Sequence, residues 1–300
     1  MKKTMLALAF AAALPALAEV EYLWPDGKMP SKACNQEAVP LIDWYAAPEK
    51  PCGACCLLVT GGAYEGWADG WWIDHIAGKL SARGVQCVKI LYRIPRPAGM
   101  PIYKTAWEDS QRAVRMIRSE AAKRGFDPEK IGALGFSAGA HAVVLLATSS
   151  SVAAYDPVDE TDGVPCHLNW AIPIYTAYAL TDGLEGPNAT GGDGEGVKLD
   201  PLFKFDGKTC TMCMFHGGED VYSPIASTRI YRKLRSMGIP AELHLFAGRN
   251  HGFMGDENRA LTGYDTWWTR AEEFLRQMDI TGDLGPQIPQ SKRYSADFTA

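Results

Sequence analysis

The chain has 300 residues, 47% of them hydrophobic and 22% charged, with a formal net charge of −5. That length can bury one large core or two modest ones, and the composition is that of a globular protein rather than a disordered one. No Lys/Arg cluster or basic stripe occurs, which argues against a nucleic-acid partner.

Residues 1–18, MKKTMLALAFAAALPALA, carry Lys2 and Lys3, an apolar run from Met5 to Ala13 and the small-x-small triplet Ala16-Leu17-Ala18. This is the layout of a signal peptide cleaved before Glu19, and the run is short for a membrane span. The expectation is export to a periplasm or the medium, with no membrane attachment after cleavage. Residues 19–54 are rich in proline and polar groups and read as an edge strand or an arm over the body.

Strands and helices then alternate. Cys56–Thr60 is a short apolar strand ending in glycines. Trp71–Arg83 reads as a helix closed by Gly84, and Val85–Tyr92 as a strand. Tyr103–Arg124 is a long amphipathic helix with Ala106, Ala113, Val114, Ile117 and Ala121 near one face, stopped by Gly125. Ile131–Phe136 is a strand and Ala138–Ala147 a helix. Trp170–Thr176, Cys210–Phe215 and Ala241–Phe246 are further strands, with helices at Ser223–Met237 and Tyr264–Met278. Continuous apolar strands separated by helices predict a mainly parallel sheet covered on both faces, a three-layer α/β architecture. With no internal repeat and no linker, residues 19–300 read as a single domain, and 283–300 as an irregular tail. The Gly- and Asp-rich stretch 181–200 reads as a long surface loop. Its carboxylates lack the regular spacing of a calcium loop.

There are eight cysteines. The pairs Cys52/Cys55 and Cys210/Cys213 have the C-x-x-C spacing of a zinc site, but positions three apart on a strand face opposite ways. No metal is therefore expected. Cys87 reads as a small core residue, and Cys34, Cys52, Cys55 and Cys166 sit in loop-like sequence as disulfide candidates with open pairing.

Gly135-Phe136-Ser137-Ala138-Gly139 fits G-x-S-x-G between a strand and a helix, the setting of a nucleophilic serine on a tight turn. A serine needs a base to take its proton and an acid to orient the base. Asp220 follows the Cys210–Phe215 strand and His251 follows the Ala241–Phe246 strand, so Ser137, Asp220 and His251 fall at three strand ends in the order Ser, Asp, His. Glu219 is an alternative acid. His244 lies inside a strand, away from any strand end; His216 reads as a brace for the acid's turn, and His141 as packing beneath the site. The N–H groups of Gly62 and Ala63, after the first apolar strand, and of Ala138, after the serine, are candidate oxyanion donors. Tyr64 and Trp67 are candidate substrate contacts, although Trp67, Trp71 and Trp72 better suit the start of a buried helix.

The stretches VTGGAYEGWA, FDPEKIGALGFSAGAH, FHGGEDVYSP and PAELHLFAGRNHGF resemble the α/β-hydrolase-fold esterases of the acetyl esterase and acetylxylan-esterase-like group, over about residues 55–280. The resemblance implies Ser137 as nucleophile, His251 as base, Asp220 as its orienter, no cofactor, and removal of small acyl groups, acetyl first, from a small ester or an acetylated carbohydrate. Many relatives carry a third glycine where this chain has Ala63. A feruloyl or aryl esterase, a prolyl-oligopeptidase-like peptidase and a non-enzymatic binding protein are the alternatives. The short stretch before the first core strand leaves no room for that peptidase's propeller, and the intact triad argues against mere binding.

Overall fold

The computed structural model describes residues 17–31, 39–181, 198–253 and 264–282. Its elements, in chain order, are β1 (Leu17–Tyr22), β2 (Leu41–Tyr45), β3 (Cys55–Val59), α1 (Trp71–Ser81), β4 (Gln86–Leu91), α2 (Lys104–Arg124), β5 (Ile131–Phe136) and α3 (Ala138–Thr148). A 3₁₀ turn (Glu160–Gly163), β6 (Trp170–Ile174), β7 (Thr211–Gly217), α4 (Ile225–Ser236), β8 (Ala241–Phe246) and α5 (Tyr264–Gln277) follow. The eight strands form one sheet in the order β1-β2-β4-β3-β5-β6-β7-β8. The first two pairings, β1–β2 and β2–β4, are antiparallel, and β4 through β8 are parallel.

The parallel strands are apolar throughout because both faces are covered. In β3, Cys55, Leu57 and Val59 enter the core under α2, α3 and α4, and Cys56 and Leu58 enter the core under α1 and α5. The same alternation separates Cys210 from Cys213, which lie in different cores, so that C-x-x-C does not converge on a metal. Chain order reverses between β3 and β5: the chain runs from β3 out to β4, crosses back through α2 to β5, and then continues outward the other way. In open α/β sheets the crevice at such a reversal is where ligands bind.

The amino-terminal stretch is both an edge strand and an arm. Val20–Tyr22 pair with Asp43–Leu41, and beyond them Trp24 Nε1 donates to Asp109 Oδ1 at 2.8 Å. Arg93, fully buried, ties this arm down. Its Nη2 donates to Glu108 (2.7 Å), its Nε to Asp109 (2.9 Å) and its Nη1 to the carbonyl of Pro30 (2.6 Å). Buried charge is tolerated only when fully paired in this way.

The disulfide expectation is corrected at two positions: Cys55 and Cys166 are free thiols. Cys55 is not in a loop but opens β3, fully buried, and Cys166 Sγ donates to the carbonyl of Ser150 at 3.6 Å. Cys34, the tail 283–300, most of the signal stretch and positions 182–197 of the Gly- and Asp-rich loop lie outside the described residues. Among the described residues no helix is long and apolar enough to cross a membrane.

Candidate active site

Ser137 occupies the turn from β5 into α3 at φ 55°, ψ −120°, a conformation costly for any residue with a Cβ. The two flanking glycines explain how the turn closes. A Cβ at Gly135 would sit 2.6 Å from the carbonyl oxygen of Gly139, and one at Gly139 would sit 2.3 Å from that of Val59. The strain is held by backbone bonds on both sides: Ser137 N–H donates to Ile174 O (3.0 Å), and its carbonyl accepts from His141 N–H (3.1 Å). The serine is thereby presented, partly exposed, at the carboxyl edge of the sheet.

The loops after β7 and β8 meet it there. Gly218 N–H donates to Phe246 O and Glu219 N–H to Arg249 O, both at 2.8 Å. Gly217 permits this contact, since a Cβ there would lie 2.3 Å from Arg249 O. The result is a continuous chain of side-chain hydrogen bonds. Ser137 Oγ is 2.7 Å from His251 Nε2, and His251 Nδ1 is 2.9 and 3.0 Å from the two oxygens of Asp220. Asp220 is buried, whereas Glu219, the alternative acid, is exposed. Burial would raise the Asp220 pKa, but hydrogen bonds from His216 and His251 outweigh it and hold the carboxyl below the ordinary carboxylate value. A third donor, Tyr222 N–H, reaches Oδ1 at 2.8 Å.

His216 braces this turn, as its position suggested. It is fully buried, its Nε2 bonded to Tyr222 O (2.9 Å) and 3.3 Å from Asp220 Oδ2, its Nδ1 bonded to Ser227 Oγ (2.8 Å). His244 stacks on Phe215 and donates to Glu242 within β8, away from the serine.

The loop after β3 runs beside the serine. Gly61 approaches so closely that a Cβ would be 3.1 Å from Ser137 Cβ. Gly62 is at φ 119°, and Ala63 and Tyr64 are both left-handed, at φ 56° and 61°. Among the described residues the N–H groups of Gly62 and Ala63 donate to no other group, and Ala138 N–H opens α3 where a helix supplies no acceptor.

One expected substrate contact, Tyr64, is placed elsewhere. Tyr64 is 1% exposed and points down, its hydroxyl 2.8 Å from His141 Nδ1. Trp67 is half-buried, its Nε1 donating to Tyr92 O (2.9 Å), and Trp72 packs edge-on against Phe136. Among the described residues, the aromatic groups that reach the histidine are Tyr175 and Tyr222, with ring centroids 4.9 and 4.8 Å from that of His251. Tyr222 Oη reaches Tyr178 Oη at 3.3 Å, and Tyr178, Tyr222, Thr176 and Ala226 line a small cavity beside them. Each of these tyrosines follows a strand end, which is the signal that would have selected them. Cys213, Glu242 and His244 form a group whose ligand atoms lie within 4.8 Å of one another. Glu242 is already bonded to His244 and Arg270, so the group is a paired network.

Comparison with known proteins bears on the fold and on what the chain is similar to. The family model BD-FAE matches residues 43–180. Endo-1,4-beta-xylanase B of Butyrivibrio fibrisolvens is 26% identical over 74% of this chain, and an acetylxylan esterase of Xylanibacter ruminicola is 23% identical over 82%. The chain spans only 35% and 48% of the lengths of these two curated relatives. Among solved structures, an acetyl ester-xyloside bifunctional hydrolase of Caldicellulosiruptor lactoaceticus superposes with a TM-score of 0.71 at 22% identity, covering 89% of this chain and 98% of that one. Esterase Est2 of Thermogutta terrifontis gives 0.67 at 20% identity, covering 91% and 95%. The chain therefore has the α/β-hydrolase fold, its residues 43–180 match the BD-FAE family model, and it is similar to esterases of the acetylxylan-esterase group.

Proposed function

We propose that the protein is an exported serine carboxylic-ester hydrolase that removes small acyl groups, acetyl first, from carbohydrate. The observation that carries the reading is the unbroken chain Ser137 Oγ, His251, Asp220, at 2.7 and 2.9 Å. In this reading His251 Nε2 takes the hydroxyl proton as Oγ attacks the acyl carbonyl. Asp220 holds Nδ1–H and stabilises the imidazolium that forms. The N–H groups of Gly62, Ala63 and Ala138 receive the oxyanion. The imidazolium then protonates the leaving alcohol, and water activated by the same histidine releases the acid from the acyl-serine. All of these steps use side chains and backbone of this chain, so the reading calls for no cofactor.

The acyl and alcohol preferences rest on the relatives, one of which bears the name acetylxylan esterase. Export rests on Lys2, Lys3, the apolar run and the Ala16-Leu17-Ala18 triplet. Cleavage after Ala18 would leave Glu19–Tyr22 still paired with Trp44–Leu41.

The test is acetate release from acetylated xylan and from a small aryl acetate, with an aryl butyrate and a feruloyl ester alongside and Ser137→Ala as control. Release from xylan that vanishes in the variant supports the full reading. Aryl acetate cleavage alone keeps the hydrolase and moves its substrate to another small ester. Equal rates for wild type and variant on every ester overturn it. Amino-terminal sequencing of the exported protein should begin at Glu19.

A further inference from the structure

Two buried side chains that the proposed chemistry does not use lie together directly beneath it. His141 is one helical turn after Ser137 on α3, fully buried, with Tyr64, Tyr103, Tyr178 and Phe203 around its ring at centroid distances of 5.5–6.3 Å. Its Nδ1 shares a 2.8 Å hydrogen bond with Tyr64 Oη. Tyr64 closes the loop that begins at Thr60. Ala63 and Tyr64 are consecutive non-glycine residues in the left-handed region. Each such residue costs on the order of 1 kcal/mol and persists only where its surroundings over-determine it.

What holds the start of this loop acts on its carbonyls. Tyr92 Oη donates to Thr60 O (3.1 Å) and is 3.3 Å from Gly61 O, and Glu65 and Gly66 N–H donate to Gly62 O. What holds residues 63 and 64 is the Tyr64 side chain, stacked on Tyr178 and bonded to His141. Among the described residues this is the side-chain hydrogen bond that joins the loop to α3. It therefore refers the loop and the nucleophile to the same helix, four residues apart.

We infer that the Tyr64–His141 hydrogen bond is a positioning clamp, which sets the height of the Gly61–Tyr64 loop over the start of α3 so that the N–H groups of Gly62 and Ala63 converge with that of Ala138 on one oxygen. The inference rests on the ester-hydrolase reading of Ser137. Neither clamp residue touches substrate; both act through the backbone they fix. Oxyanion donors must lie about 2.7–3.1 Å from the oxygen, and losing one costs roughly 10²–10³-fold in rate. A loosened loop forfeits part of that in the transition state and little in substrate binding.

The test uses the full chain and a small aryl acetate. Tyr64→Phe keeps the packed ring and removes only the hydroxyl. It should lower kcat about tenfold or more with KM within about twofold, and weaken a trifluoromethyl ketone, which forms an oxyanion on Ser137, by the same factor. His141→Asn, whose amide oxygen falls near the Nδ1 position, should restore most of the rate, and His141→Leu should match Tyr64→Phe. The double variant Tyr64→Phe/His141→Leu should be no slower than either single, because both remove one bond. If His141→Leu fails to fold, Tyr64→Phe and His141→Asn still decide the matter. A folded Tyr64→Phe protein with wild-type kcat, or one whose KM rises while kcat holds, overturns the clamp. In that case an inactive Ser137→Ala leaves the hydrolase reading standing, whereas an active Ser137→Ala removes both.

Discussion

His141 makes a quantitative demand on stability in acid. Its complete burial pushes the imidazole from its ordinary 6.5 down to about 3. The unfolded chain takes up a proton near pH 6.5 that the folded chain refuses until near pH 3. Stability is therefore whole above pH 6.5 and falls as the pH drops toward 3. At about 1.36 kcal/mol per pH unit, the loss is about 2 kcal/mol by pH 5 and up to about 5 kcal/mol at the bottom of the window. Asp220 acts in the same direction but lower, because its depressed carboxyl loses its contribution only as pH falls through a value below the ordinary 3.8. The window from pH 7.5 to 5 thus isolates histidine. The assay is urea unfolding of wild type and His141→Asn at four pH values across that window. The amide does not titrate and can still accept from Tyr64, so other groups, His167 included, contribute equally to both proteins. Wild type should lose about 2 kcal/mol more than the variant between pH 7.5 and 5. Equal slopes would refute a buried neutral His141.

Asp220→Asn keeps the shape of the acid but loses the charge that fixes the His251 tautomer and stabilises its imidazolium. The aryl acetate kcat should fall about 10³–10⁴-fold, or roughly 4–5 kcal/mol of barrier, with the fold retained; a loss under tenfold would remove Asp220 from the proton path. Gly139→Ala places a methyl 2.3 Å from Val59 O and 2.4 Å from Thr60 O, so the elbow and the loop after β3 must part. Thermal melting should show a loss of about 1–3 kcal/mol, and kcat should fall by more than that loss of folded protein explains; an unchanged melting point and rate would mean the close approach of these backbones is dispensable.

The parts of this molecule that were legible in sequence are those whose cause is local. A strand, a serine between two glycines and a helix specify their own turn, and strand-end loops in a parallel sheet open on one edge. So Ser137, Asp220 and His251 could be assigned to one edge without knowing a single contact. Tyr64 shows where locality fails. Its neighbourhood to the glycine loop suggested a side chain facing substrate, but two successive left-handed residues rotate it beneath the loop, and nothing in Ala63-Tyr64 signals that backbone. The partner that stabilises the rotation, His141, is 77 positions away. Arg93 is the same case on a larger scale. In sequence it is one charge after a strand; in the fold its bonds to Pro30, Glu108 and Asp109 reach across 63, 15 and 16 positions, and only their sum makes burial of the guanidinium tolerable. Cys55 was misplaced for a smaller reason, a strand that starts one residue earlier than its apolar run, pulled into register by Gln86 and Ile131 on either side. In each failure the deciding partner lies in another element. The residues that perform the proposed chemistry are therefore easier to find than those that aim them, and a search for further determinants of rate in this fold is better directed at the buried polar side chains under the sheet's carboxyl edge than at the exposed ones around it.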